Sequence, residues 1–216
     1  MSLKPEHRRG ADKPQTPAID GRYEAGRQRL ADILVAAKAT LVKGGYAQLT
    51  VRRVATEAGL PLRHLQYYYP TKDELLSALC ESICDDYIEK CDALAARTQS
   101  DPKSQFIACI DYLIEDNRNT TTNTIMVELW ALSCHDKTAT KFVTRLLDYY
   151  REYIAKFIRR MRPAASAELV EMRTLQVIAL IEGLALFIGG NRPKISAARN
   201  IAADARRNIL RIVLSK

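Results

Sequence analysis

Between Leu62 and Leu76 the chain reads LRHLQYYYPTKDELL. Arg63, His64, Gln66, Tyr67 and Tyr68 are side chains able to reach base edges and phosphates. A guanidinium such as that of Arg63 matches the paired acceptors of guanine, and an amide such as that of Gln66 matches the acceptor and donor of adenine. Three adjacent tyrosines also pose a packing question. Successive helical residues point about 100° apart, so Tyr67, Tyr68 and Tyr69 cannot all face one core.

The elements that must position these groups are two short helices. Thr50 stands where an N-cap belongs, before VRRVATEA, and Gly59 ends that helix. The second covers about Leu62 to Tyr69, and Pro70 stops it, because the residue before a proline is driven out of the α region. Two helices crossing steeply over a short turn need a small residue at their closest approach and a glycine in the turn. Ala55 and Gly59 supply these, and Val54, Ala58, Leu60 and Leu65 fall where apolar anchors are required. This is a helix-turn-helix, whose second helix enters a major groove. The competing reading is two ordinary short helices in a bundle. A basic excess beside them favours the first: residues 1–72 hold 13 Lys and Arg against 6 Asp and Glu, out of a whole-chain net charge of +8.

Across all 216 residues helical periodicity dominates. Residues 1–22, rich in Pro, Gly and charge, read as a flexible basic arm. Leu30, Ile33, Leu34, Ala37 and Leu41 form one face of a first helix, closed by Gly44-Gly45 supplying a left-handed residue. TKDE, from Thr71 to Glu74, is a capping box opening a long helix to about Ala96. Asp101-Pro102 opens a helix to about Asn117, and further helices are expected over Thr122–Cys134, from Asp136 to before Pro163, from Ser166 to Gly189-Gly190, and from Ser196 to the end. With no persistent strand pattern, hairpin signal or repeat, the chain is expected to be all-α with about nine helices. It divides into the arm at 1–22, a helix-turn-helix domain at 23–72 and a larger domain at 73–216.

TVRRVATEAGLPLRHLQYYYPTKDELL resembles the DNA-binding domain of the tetracycline-repressor (TetR) family of transcriptional regulators, and the upstream GGYAQLT matches as well, with Tyr46 as its usual aromatic. VELWALSCHDKTATKFVTRLLDYYREYI and ALIEGLALFIGG resemble the family further along. The resemblance implies a homodimer whose two recognition helices enter successive major grooves of a palindromic operator. It makes Leu65 the core leucine and Tyr69 the core aromatic. Tyr68 falls at a phosphate-contacting position, as does Lys72 at the start of the fourth helix. Thr50 caps the second helix beside N–H groups suited to phosphate, with Arg52 the nearer arginine for a phosphate contact. Leu62, Arg63, His64, Gln66 and Tyr67 lie at the variable positions facing the groove. Two residues depart from the pattern: Gln66 replaces a common tyrosine, and Pro61 stands where Ser, Thr or Ala is usual. Arg22, Arg27 and Arg29 suit flanking phosphates or a minor groove, and equally a solvated tail.

The family also implies a small-molecule pocket in the larger domain. Its candidate lining is Tyr87, Cys91, Tyr112, Met126, Trp130, Cys134, Phe142, Leu146, Tyr149 and Phe187, although for any one of these plain core is the simpler reading. Trp130 and Tyr112 stand out because their polar ends need partners if buried. VIALIEGLALFIGG is apolar nearly all round, so it must be covered on more than one side. With Ile201, Ile209 and Ile212 on the last helix, it suggests a two-helix dimer face. Glu182 within it is costly to bury alone; it could meet a cationic inducer, but a structural role fits the family better.

Cys80, Cys84 and Cys91 share a stripe of the fourth helix and, with Cys109 and Cys134, form no disulfide or zinc pattern. His7, His64 and His135 are scattered. No nucleophile elbow, phosphate loop or metal motif is present, so neither an enzyme nor a cofactor is expected. No run long enough to span a bilayer and no secretory signal occur, which points to the cytoplasm. The expected function is a ligand-responsive DNA-binding regulator, most simply a repressor. The alternative is a small-molecule-binding or interaction protein that keeps the fold without sequence-specific DNA binding.

Overall fold

Six side chains standing just before helices accept hydrogen bonds from the first free backbone N–H groups. Thr50 accepts from Arg53 at 3.2 Å, Asp101 from Ser104 at 2.9 Å, Asn119 from Thr121 at 2.9 Å, Asp136 from Thr138 at 2.8 Å and Ser166 from Leu169 at 3.2 Å. Thr71 and Glu74 form the reciprocal capping box, with Thr71 N–H donating to the Glu74 carboxylate at 3.0 Å. Each satisfies donors that a helix start leaves without a partner.

The computed structural model describes residues 18–98, 101–190 and 200–215, with side chains from residue 26 onward. Among these residues there are nine helices and no strand: α1 Ala18–Gln48, α2 Val51–Glu57, α3 Leu62–Tyr68, α4 Lys72–Arg97, α5 Pro102–Asp116, α6 Thr120–Ser133, α7 Lys137–Met161, α8 Ala167–Ile188 and α9 Ile201–Leu214.

The all-α expectation holds, and the boundaries shift in places. Residues 18–22, expected in the arm, begin α1; their glycine and charge hid a helical start. α6 opens at Thr120 behind Asn119, where a run of β-branched threonines weakened the helical signal. The arm up to residue 17, the side chain of Arg22 and the cap at Ser196 lie outside what is described.

Gly45, at φ +69°, breaks the regular course of α1 before its last residues. Gly59, at φ +64°, turns the chain between α2 and α3, and Leu60 N–H then closes on Ala55 O at 2.9 Å. Only a residue without a Cβ adopts that conformation freely. Ile33, Ala37 and Leu41 of α1 are fully enclosed with Val54, Leu65, Leu75 and Leu76, which seats the two short helices on α1 and the start of α4. Lys43 of α1 pairs with Glu57 of α2 at 2.6 Å.

The C-terminal helices pack around α7, the most strongly two-faced of them. Phe142, Leu146, Tyr150, Ile154, Phe157 and Ile158 are buried, while the intervening Lys, Arg and Glu face solvent. α7 packs on α4, α6 and α8, and α8 packs on α9. α4 thus runs from the helix-turn-helix into the middle of the larger unit. Lys38 of α1 and Asp86 of α4 tie the two units at 2.8 Å.

Candidate nucleic-acid interface and interior cavity

Leu65 fixes the orientation of α3. It is 0% exposed, and Tyr69 behind it is half-buried, its phenol pushed above the ordinary range by that burial. Burying one leucine is worth about 1.5–3 kcal/mol, enough to hold a seven-residue helix in a single rotation. The opposite face therefore presents Arg63, His64, Gln66 and Tyr67 to solvent, with Tyr67 82% exposed. Tyr68 stands edge-on to Tyr67, ring centres 5.3 Å apart, and half-buried against the core. Thr50 and Arg52 lie exposed at the start of α2, on either side of Val51.

Two side chains expected at this face also make contacts within the chain. Leu62 is half-buried and packs against the core. Lys72 does not extend freely into solvent. Its ammonium donates to Tyr46 O at 2.9 Å and lies 3.5 Å from the centre of the Tyr46 ring. Desolvation lowers its pKa, with Asp136 and Asp73 pulling the other way. The Tyr46 N–H in turn donates to the Glu128 carboxylate of α6 at 3.0 Å. The turn after Gly45 is thereby held by the start of α4 on one side and by α6 on the other.

A cavity of about 170 Å³ opens among α1, α4, α5 and α6, lined by Tyr87, Tyr112, Asp116, Thr122, Ile125 and Met126, with Lys38, Asp86 and Lys90 also on its wall. Tyr87 O–H donates to the Asp116 carboxylate, and Thr122 O–H donates to the other oxygen of that carboxylate at 3.4 Å. Trp130 Nε1 donates to the Glu182 carboxylate at 3.2 Å. The Glu182 carboxyl is raised by burial, the indole bond acting against that. Burial, then Asp116, lifts the Tyr87 phenol well above its usual range, and Glu182 adds to the same effect. Both carboxylates thus act on one ring, and neither forms an ion pair among the described residues.

Of the ten pocket candidates, Tyr87, Tyr112 and Met126 meet in this cavity. Trp130 faces Glu182 behind it. Leu146 is plain core, and Phe142 borders a separate shallow recess with Cys80 and Cys84. Tyr149 lines an open groove of about 720 Å³ between α4 and α7. Cys91 is buried against Cys109. Cys134 and Phe187 are exposed and apart from the cavity, the first at the end of α6 and the second on the outer side of α8. Sequence reasoning passed over Asp116, Thr122 and Lys38. Asp116 had a usable signal, standing one helical turn after Tyr112; Lys38 and Thr122 come from other helices and had none.

Two family models match the chain. Bacterial regulatory proteins of the tetR family match residues 33–79, and the C-terminal part of the BetI-type transcriptional repressors matches residues 107–213. An uncharacterised HTH-type transcriptional regulator from the dhlA 5′ region of Xanthobacter autotrophicus is 27% identical over 169 residues, spanning 75% of this chain and 79% of that one. A TetR transcription regulator from Haloarcula marismortui superposes with a TM-score of 0.72 at 19% identity, covering 87% of this chain and 97% of that one. A transcriptional regulator from Saccharomonospora viridis, solved in complex with choline, superposes with a TM-score of 0.67 at 14% identity, covering 88% and 97%. With both ends of the chain matched by models of one kind, and its helix order shared with solved members, the chain belongs to the TetR family of transcriptional regulators.

Proposed function

We propose that the chain is a homodimeric repressor that binds a palindromic operator and is released from it by a small-molecule effector. The observation that carries the reading is the outer face of α3, where Arg63, His64, Gln66 and Tyr67 are exposed around a fully buried Leu65. Four side chains able to contact DNA on one face of a short helix are poorly explained by packing, and they suit a major groove. Arg63 and Gln66 read bases in this scheme. Thr50, Arg52, Tyr68 and Lys72 hold phosphates, Lys72 leaving the Tyr46 carbonyl to do so. The units are the helix-turn-helix at 23–72 and the effector and dimerisation domain at 73–216, and the protein works in the cytoplasm.

The effector cavity in this reading is the space bounded by Tyr87, Tyr112, Asp116 and Met126. Aromatic faces beside the Asp116 carboxylate, with the Glu182 carboxylate behind them and neither in an ion pair among the described residues, favour a small organic cation, which the ring quadrupoles and the carboxylates attract together. The relative solved with choline carries a ligand of that type, and choline is the natural first probe.

The decisive experiment is a mobility-shift titration on the DNA upstream of the protein's own coding region. Retardation that weakens steeply with salt is the expected result; absence of a shift even at low salt defeats the repressor reading. Choline should release the complex and raise the melting temperature, while its neutral carbon isostere should do neither. Equal effects from both compounds rule out the cationic class.

A further inference from the structure

Cys91 of α4 and Cys109 of α5 face each other in the interior, 1% and 2% exposed, with the Cys109 thiol donating to the Cys91 sulfur at 3.6 Å. Nothing in DNA binding or in the effector cavity uses this pair. From this facing of two thiols across two helices, we infer that Cys91 and Cys109 form a reversible disulfide site that reacts with small hydroperoxides.

The other cysteines are differently placed. Cys80 and Cys84 lie one turn apart on α4, and burial pushes their thiols up to about 12 and about 11. Cys134 is exposed at the end of α6. At Cys91 the hydrogen bond from Cys109 lowers the thiol, and Tyr149 contributes in the same direction, against burial. A thiolate is the attacking species, which makes Cys91 the nucleophile and Cys109 the resolving thiol. Tyr153 O–H donates to Cys91 O at 2.9 Å and holds that turn of α4. Tyr149 meets both the pair and an open groove. Tyr149 lines the open groove between α4 and α7, and its hydroxyl oxygen is enclosed beside the pair without a hydrogen-bond partner of good geometry among the described residues. Displacing that ring opens a path from the groove to Cys91.

The chemistry balances with the peroxide alone. The Cys91 sulfur attacks the terminal peroxide oxygen, an S–O bond forms as the O–O bond breaks, and the leaving hydroxide, or the alkoxide of an organic hydroperoxide, takes up the thiol proton to become water or an alcohol. The Cys109 sulfur then attacks the Cys91 sulfenic acid; the S–S bond forms, the S–O bond breaks, and a water leaves with the Cys109 proton. Two thiols are oxidised and one peroxide is reduced. The sulfurs must close from 3.6 Å to a bond of about 2.05 Å. Cys91 lies one turn beyond Tyr87, and Cys109 one turn before Tyr112. The crosslink therefore ties together the two helices that supply the aromatic walls of the cavity.

The test uses the full chain, reduced and then exposed to graded hydrogen peroxide. Remaining thiols are alkylated under denaturing conditions, and intact mass and non-reducing peptide maps are recorded. Exposed Cys134 serves as the internal clock. The expected result is a loss of two hydrogens, reversed by a thiol reductant, with the Cys91 and Cys109 peptides joined and Cys80 and Cys84 fully alkylated. Cys109→Ser, which keeps a hydroxyl donor toward Cys91, should stop the reaction at a Cys91 sulfenic acid that dimedone traps. If Cys91 and Cys109 remain fully alkylatable after Cys134 is consumed, or if a different pair is joined, the site does not exist. The wild-type map decides this even if the variant fails to fold, and neither result depends on the effector.

Discussion

Arg63 and Gln66 stand three residues apart on the solvent side of α3, so a duplex laid on that side meets both together. Arg63→Ala should lose about 1–3 kcal/mol of discrimination at the base pair it reads, leaving nonspecific binding nearly intact. Lys72→Ala should weaken all sequences alike and reduce the salt dependence by about one counterion; binding to randomised operator pools measures both, and exchanged outcomes would reverse the assignment. Glu182 carries a different expectation. Burial raises its carboxyl above the ordinary value of 4.5, so between that value and the folded-state value the native protein holds more protons than the unfolded chain. Stability attributable to this group is therefore present at low pH and lost as pH rises through that window. Glu182→Gln keeps an acceptor for the Trp130 indole and removes the charge. Its melting temperature should exceed that of the wild type above the window and fall less steeply with pH, while choline no longer raises it. Melting curves recorded from acid to neutral pH test this, and an unchanged slope would show that Glu182 is not the titrating group.

At the scale of elements, the caps were legible in sequence because each is a local event. Thr50, Thr71 with Glu74, Asp101 and Ser166 act on N–H groups two or three residues away, and the chain spells out both partners. The same holds for Gly59, since its left-handed turn is a property of one residue. What escaped were arrangements that bring together helices distant in sequence. The cavity takes Lys38 from α1, Tyr87 from α4, Asp116 from α5 and Met126 from α6, and no spacing rule joins positions so far apart. The grip of Glu128 on the Tyr46 N–H, across 82 residues, is of the same kind. It also connects the cavity to the helix-turn-helix. α6 lines the cavity with Ile125 and Met126, and its next turn carries the carboxylate that holds the turn onto which Lys72 docks. Glu128→Ala should cost about 1 kcal/mol from the lost hydrogen bond. It should leave operator affinity without effector within a few-fold and reduce effector-driven release at least tenfold, by about 1.4 kcal/mol of coupling. Glu128→Gln, whose amide oxygen still accepts, should restore release. Titrations with and without choline separate these outcomes; full release by the alanine variant would mean that the signal travels through α4 alone.

At the scale of the whole molecule, the proposed function asks for symmetry: one chain would present one recognition helix, and a two-fold operator requires two held at a fixed spacing. The symmetry has to come from a surface that is its own complement. α8 offers one. Its inner side is buried through Val170, Val177, Ile178, Ile181 and Leu184, while Met172, Leu175, Leu186 and Phe187 are exposed, Phe187 to 52%. A monomer rarely leaves an apolar stripe of this length uncovered. α9 lies alongside with Ile209 and Val213 fully buried in the same chain, so it is positioned before any partner arrives and adds the exposed Leu214 near its end. Of the expected α9 face, Ile209 turns inward, whereas Ile201 and Ile212 remain partly exposed. A double variant, Leu175→Glu with Phe187→Glu, places charges on the outer stripe and leaves the buried side of α8 intact. Because exposed positions distant from special features change stability by only about 0.5 kcal/mol either way, each chain should fold as before, with an unaltered far-ultraviolet spectrum. Sedimentation equilibrium should then give a monomer where the wild type gives a dimer. Operator affinity should collapse toward that of a single half-site, because the second recognition helix must now bind from free solution without its link to the first. A variant that remains dimeric would move the interface off α8, and one that becomes monomeric yet binds the full operator as tightly as the wild type would show that pairing occurs on the DNA itself.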